Sequence, residues 1–258
     1  MAFEFDGKKY KAASTHQKEW GTKIIMDLSL QGSEKALDLG CGDGVLTAKI
    51  ASLLPQGFVL GIDASLGMIH TAQEQKADNL RFQQLDINEL QFDSEFDVVF
   101  SNAALHWVQD HHRLMGNIYR ALRPEGIIRL NFAGDGNCSN FFQVIKEVMA
   151  TSEFRDSFKE FVWPWYMPKI NEYELLVRDY PFREISVWEE NADRHFASAD
   201  QMTNWIDQPS IVPFLKYIED AKKQDFRDLV VDKMLKSTSQ NDGTYFETFR
   251  RINVFARK

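Results

Sequence analysis

Between residues 35 and 50 the chain passes from the apolar segment Ala36, Leu37 and Leu39 through Gly40, Cys41, Gly42, Asp43 and Gly44 into Val45, Leu46, Ala48 and Ile50. A buried strand, a glycine-rich turn and a helix start in direct succession leave few folds open, and they read as the first strand-turn-helix unit of an open α/β sheet. Without Cβ atoms the turn can reverse tightly, approach a ligand and seat the following helix on the sheet, so a side chain there is expected to occupy ligand space. The glycines follow a G-x-G-x-G spacing instead of the G-x-G-x-x-G of dinucleotide binders, and they stand behind the acidic Asp38. A pyrophosphate is repelled by that carboxylate. A ligand with positive charge and with ammonium and hydroxyl donors is not, and S-adenosylmethionine carries a sulfonium, an ammonium and a ribose diol. Asp38, Gly40, Cys41 and Gly42 are therefore the first candidate cofactor contacts.

The rest of the chain alternates strand and helix patterns. Strands are expected at 58–62, 80–85, 96–100 and 127–133, with helices at 45–54, 66–76 and 111–122. Arg123, Pro124, Glu125 and Gly126 supply a stop and turn before the fifth strand. Two further strand-like stretches, 185–196 and 249–256, complete an α/β fold: a Rossmann-like, doubly wound, seven-stranded and mostly parallel sheet. Between the last strands the pattern changes. Phe141, Phe142, Ile145, Val148 and Met149 form a helical stripe, residues 161–168 are aromatic and broken by proline, and Ser198 with Gln201 makes a capping box. The expected organisation is a core over residues 1–135 with an N-terminal lid helix, and a region 136–258 whose last strands carry a helical cap at about 139–180 and 198–244.

Composition narrows the partners. With 30 Lys and Arg against 38 Asp and Glu, the net charge of -8 argues against a nucleic-acid backbone as ligand. The first residues mix acids and lysines where a signal peptide needs an apolar core, and no apolar run reaches membrane-spanning length. A cytoplasmic monomer or homodimer acting on a small molecule is expected. Two cysteines, Cys41 and Cys138, are too few for a disulfide framework or a four-ligand zinc site, so no metal is expected, and Cys41 reads as a small turn residue before it reads as a nucleophile.

Ligands of open α/β sheets lie beyond the carboxyl ends of the strands. Asp63 ends the second strand, where its oxygens either accept both ribose hydroxyls, with Ala64 and Met68 beside it, or cap the helix that begins at Leu66. Asp86 either accepts from the adenine amino group, with the Ile87 N–H facing a ring nitrogen, or is an ordinary turn carboxylate. Asn102, after the fourth strand, falls near the methionine portion, and His106 and Trp107 fall toward the reaction centre; the alternative for the last two is a buried histidine and a core tryptophan.

At these residues the chain resembles class I S-adenosylmethionine-dependent methyltransferases over roughly residues 10–135. The run from Ser101 to His111 and the ending from Phe249 to Arg257 resemble more narrowly the trans-aconitate methyltransferase group. Leu105, His106, Trp107 and Val108, with upstream Tyr10 and Gln17, are also similar to juvenile hormone acid methyltransferases, in which the matching Gln and Trp contact substrate; malonyl-carrier-protein methyltransferases share the motif style. The resemblance implies esterification of a carboxylate, with S-adenosylhomocysteine as the second product. Candidate cations for the acid are Arg194 and Arg251, His106, Trp107, Trp163 and Tyr166 are candidates for a wall, and Tyr10 and Gln17 are candidate polar contacts. A carboxylate is ionised at neutral pH and needs no base, whereas an amine or phenol acceptor requires one, for which His106 is the candidate. A non-catalytic S-adenosylmethionine-binding regulator is the reading of a different class. A short-chain reductase is disfavoured, because no Tyr has Lys four positions later.

Overall fold

The computed structural model describes residues 15–258, of which Thr15–Met26 form the first helix, α1. Seven strands make one sheet in the order β3-β2-β1-β4-β5-β9-β6. They are β1 (Lys35–Leu39), β2 (Phe58–Asp63), β3 (Leu80–Gln84), β4 (Phe96–Asn102), β5 (Leu122–Ala133), β6 (Arg183–Asn191) and β9 (Arg250–Arg257). The first five pair in parallel, and β9 runs antiparallel to β5. Order reverses between β1 and β4, which makes their carboxyl ends the switch point where such sheets bind ligands.

Alternation along β1 shows how the sheet is covered. Leu37 and Leu39 join a core with Leu114, Met115, Ile118 and Ala121 of helix α4 (His111–Ala121) and with Tyr173, Leu176 and Val177 of α6 (Ile170–Arg178). Ala36 joins the opposite core with Ile24 and Ile25 of α1 and Ile50 and Ala51 of α2 (Val45–Leu53). Each fully buried Leu or Ile contributes on the order of 1.5–3 kcal/mol, so both faces need a helical layer. Asp38 shares the α1 and α2 face by the same alternation.

The described residues divide into two compact units, one of residues 15–135, 165–190 and 251–258, the other of 136–164 and 191–250. Helix α6 lies in the stretch expected as cap, yet it belongs to the first unit because Tyr173, Leu176 and Val177 bury in that core. The second unit is held by aromatic rings: Phe141 of α5 (Ser139–Met149) meets Trp205 of α7 (Ala199–Trp205) at 5.8 Å and Phe214 of α8 (Val212–Leu215) at 6.1 Å, and Phe154 meets Phe226 of α9 (Lys223–Thr238) at 5.1 Å. At the capping-box pattern Ser198 Oγ accepts the Gln201 N–H, and the Gln201 side chain accepts the N–H of Ala197, one residue before the cap.

Two local expectations change. Arg123 to Gly126 does not separate a helix from a strand, since β5 starts at Leu122 and absorbs the segment as an irregularity opposite Phe96 and Val98, with Glu125 at φ 67°. The stretch 185–196 is not one strand: it divides into β6 and β7 (Arg194–Phe196), and β7 pairs with β8 (Tyr245–Glu247) in a separate two-stranded sheet. Among the described residues no helix is long and apolar enough to cross a membrane.

Candidate active site

The glycine turn is built around its neighbours. The N–H groups of Gly40 and Cys41 both donate to Ile62 C=O at 2.9 Å, tying the end of β1 to the end of β2. Gly40 and Gly44 have φ 72° and 76°, a region L side chains disfavour. A Cβ on Gly40 would stand 2.2 Å from the Ala104 Cβ, and one on Gly44 would stand 2.7 Å from Phe82. At these two positions the missing side chain makes room for the protein's own packing, which corrects the expectation that a side chain there occupies ligand space.

Three carboxylates surround the turn. Asp38, 2% exposed, accepts from Thr47 Oγ1 at 2.7 Å; burial, opposed by that bond and reinforced by the charge of Asp63, pushes its carboxyl up to about 7. Asp63 accepts the Gly42 N–H at 3.0 Å on one oxygen and the Ser65 N–H at 2.9 Å on the other. Its oxygens thus organise the turn. The helix starting at Leu66, α3 (Leu66–Ala72), is instead capped by Ser65, whose Oγ accepts the Met68 N–H at 3.2 Å. Asp86 Oδ1 accepts from the N–H and the Nδ2 of Asn88 at 2.9 and 2.8 Å, capping the short turn Ile87–Glu89. Burial and the nearby Asp63 and Asp38 hold the Cys41 thiol well above its usual range, so it stays protonated and is a poor nucleophile.

Beyond β4 the chain turns sharply at Ala103 (φ 56°), whose N–H donates to Asn131 C=O at 2.7 Å. Asn102 is buried; its Nδ2 donates to the Gln17 C=O of α1 at 2.9 Å. Lys18 pairs with Asp43 at 2.7 Å, which ties the same helix to the glycine turn. Asn102 Oδ1, Gln17 Oε1 and His106 Nδ1 are buried and find no hydrogen-bond partner among the described residues. An unsatisfied buried polar atom costs on the order of 1–3 kcal/mol, so these three, on α1, at the end of β4 and on the turn after it, are candidate ligand contacts.

His106 and Trp107 sit on the short turn Leu105–Trp107. His111 supports that turn: its ring nitrogens engage Leu105 C=O and Tyr173 Oη, both at 2.9 Å, so the neutral ring donates to the carbonyl and accepts from the phenol. Burial lowers His111 to about 4. Tyr166 donates its N–H to His106 C=O at 2.8 Å, and Trp107 meets Trp165 at 5.3 Å. Burial first, then the positive charge of Arg251 and the His111 ring, hold His106 well below the usual histidine range. Arg251 is itself buried, 3% exposed, with its Nε and Nη2 donating to Asn131 Oδ1 at 3.0 and 2.6 Å and its guanidinium 4.6 Å from the Trp20 ring centre.

The structure therefore brings Gln17, Asn102, His106, Trp107, Tyr166 and Arg251 into the first unit together with the carboxylates of the turn. Trp163 and Arg194 belong to the second unit. There Trp163 packs on Phe142 at 5.1 Å with Lys146 over its ring, and Arg194 lies opposite Glu247 on β7 and β8. Tyr10 lies outside the described residues. Trp20, Thr47 and Asn131 escape a reading of the sequence, since each is a common residue type that gains meaning only from a partner on another element.

An acidic, buried turn next to orphaned carbonyl oxygens suits a cationic ligand that also bears hydroxyls. Residues 37–130 match the family model described as a methyltransferase domain. The chain is similar to an uncharacterized methyltransferase of Schizosaccharomyces pombe, 29% identical over 98% of each chain. It is similar also to the trans-aconitate 2-methyltransferase of Escherichia coli O1:K1 / APEC, 25% identical over 92% of this chain and 91% of the relative. Among solved structures, Haemonchus contortus phosphoethanolamine N-methyltransferase 2 in complex with S-adenosyl-L-methionine covers 98% of this chain and 56% of its own at TM-score 0.62 and 20% identity, a likeness of fold.

Proposed function

We propose that this chain, an S-adenosylmethionine-dependent methyltransferase, esterifies the carboxylate of a small organic acid. The observation that carries the reading is the pairing of His106 with Arg251. A buried guanidinium suits an anionic acceptor, and burial first, with that charge adding to it, makes the neighbouring imidazole a weak base. An amine or phenol acceptor must lose a proton, for which the chain offers at this turn only a depressed histidine. A carboxylate arrives ionised and makes no such demand.

The residues divide the work accordingly. Asp38, Asp63 and Asp86, with Gly40, Cys41, Gly42, Ala64, Met68, Ile87 and Asn102, hold the cofactor, whose sulfonium supplies an electrophilic methyl group. Asn102 Oδ1 is the acceptor for the cofactor's ammonium. Arg251 draws the acid in, Gln17 and neutral His106 hydrogen-bond it, and Trp107 and Tyr166 wall it from water, so that catalysis rests on alignment. The relative from Escherichia coli, named for trans-aconitate, supports an acid as acceptor. The test is transfer of labelled methyl to a panel of carboxylic acids, trans-aconitate among them, alongside amines and phenols. A base-labile methyl ester is the expected product; label recovered only on amines or phenols would reject the carboxylate reading.

A further inference from the structure

Two helical threonines of this chain, Thr71 and Thr238, donate their hydroxyls to carbonyls four residues back in their own helices, Gly67 C=O at 3.0 Å and Met234 C=O at 2.8 Å. That is the ordinary use of such a hydroxyl. Thr47 departs from it. On the first turn of α2 and fully buried, it donates instead to Asp38 Oδ2 at 2.7 Å, a carboxylate nine positions earlier on β1.

The setting gives that donor weight. Asp38 is 2% exposed, so its ionised form has lost most of its water and depends on donors within the protein. In register beside it across the sheet are Gly61 of β2 and Phe100 of β4, neither of which carries a charge. Burial disfavours the Asp38 charge most, the Thr47 hydroxyl opposes burial, and Asp63 at the end of β2 sides with it. Of the other titratable groups of the turn, Cys41 stays protonated and Asp43 pairs with Lys18 of α1 at 2.7 Å. The hydroxyl also gives direction, since a bond to Oδ2 holds the carboxylate in one orientation.

We propose that Thr47 is a positioning residue for cofactor recognition: its hydroxyl orients the Asp38 carboxylate and stabilises the ionised form that S-adenosylmethionine binds. This rests on Asp38 being a cofactor contact. Thr47 itself sits behind that carboxylate and acts only through it.

The test is S-adenosylmethionine affinity of the full-length protein by calorimetry, for wild type and Thr47→Val, from about pH 6 to about pH 8.5. Valine keeps the shape and the β-branching and loses the donor. The variant should bind about tenfold more weakly at about pH 6 and within about twofold of wild type at about pH 8.5, because a rise of one pKa unit in Asp38 is a tenfold change in its ionised fraction only below the titration. The cofactor's own ammonium titrates alike against both proteins and cancels in the ratio. Thr47→Ser restores a hydroxyl and should restore the wild-type profile. Should Thr47→Val not fold, Thr47→Ala removes the same donor, and the same pH-dependent deficit is expected. A deficit of equal size at every pH in a folded variant, or none, overturns the proposal and leaves the bond a tie between α2 and β1. Asp38→Asn tells that failure from failure of the reading beneath it. If Asp38→Asn binds the cofactor as wild type does at every pH, Asp38 is no cofactor contact and the proposal falls with it; if Asp38→Asn flattens the profile while Thr47→Val follows wild type, the role of Thr47 alone is wrong.

Discussion

Beyond the carboxyl ends of β1, β2 and β3 the first unit gathers Asp38, Asp63 and Asp86, whereas beyond β4 and across β5 and β9 it gathers His106, His111 and Arg251. The two halves of one sheet edge have opposite electrostatic character. Burial in the acidic half pushes Asp38 up, toward neutrality, so that a cation restores its charge; burial in the other half, helped by Arg251, pushes His106 down and keeps it neutral. The difference is what the proposed division of labour calls for, a cationic cofactor on one side and, on the carboxylate reading, an anionic acceptor on the other.

The sharpest way to break this comparison is to remove the acidic half's organiser. Asp63→Ala deletes two charge-assisted bonds, to the Gly42 and Ser65 N–H groups, along with the acceptors proposed for the ribose. S-adenosylmethionine affinity by calorimetry should fall about a hundredfold or more, with KM for the acid little changed at saturating cofactor. In the opposite half, Arg251→Met keeps much of the packing on Trp20 and removes the charge. KM for the acid should rise about ten- to a hundredfold while cofactor affinity holds. If each variant impaired both ligands alike, the division would be wrong.

A smaller effect separates the halves by pH. The folded-state pKa of Asp38, about 7, lies above its ordinary 3.8, so the folded chain holds this proton more tightly than the unfolded one does. Its contribution to stability is full at low pH and declines as pH rises from about 4 to about 7. A cationic ligand favours the ionised form, so affinity for S-adenosylmethionine should increase about tenfold between about pH 6 and about pH 8, and Asp38→Asn should flatten that profile. His111 works the other way: lowered to about 4, it contributes stability above the ordinary 6.5 that is lost as pH falls toward 4. Denaturant unfolding of the unliganded protein across this range, with and without Asp38→Asn, reads both slopes.

The smallest effect is expected at His106. His106→Ala removes packing and the hydrogen bond proposed to the acid, and kcat should fall less than about tenfold, short of the roughly 10²- to 10⁴-fold cost of losing a general base. A loss of the larger size that is relieved as pH rises would replace the carboxylate with an amine or phenol.

The acidic half was open to reading because its parts are close in sequence. Asp38 to Gly44 is one strand end and one turn, and the positive φ values of Gly40 and Gly44 are a local property that glycine announces. Asp63 and Asp86 follow at the ends of the next two strands, so apolar periodicity alone places them along the same edge. Even here the purpose of the glycines was not local: Gly40 is small because Ala104 lies against it, and Gly44 because of Phe82.

The other half depends on contacts between distant segments. Asn102 meets Gln17 across 85 positions and Arg251 meets Asn131 across 120. Arginine in a late strand reads equally as a solvated surface charge, and only the pairing of β9 with β5 turns it inward. The sequence by itself determined the strand and helix alternation through the first five strands, the glycine turn and the acidic residues at the strand ends, because backbone conformation and apolar periodicity act over a few residues. The tertiary structure alone decided which arginine lies buried beside Trp20 and His106, that α6 packs in the first unit's core, and that Trp163 spends its ring on the second unit's aromatic cluster. Burial and charge coupling are sums over neighbours that chain order does not specify.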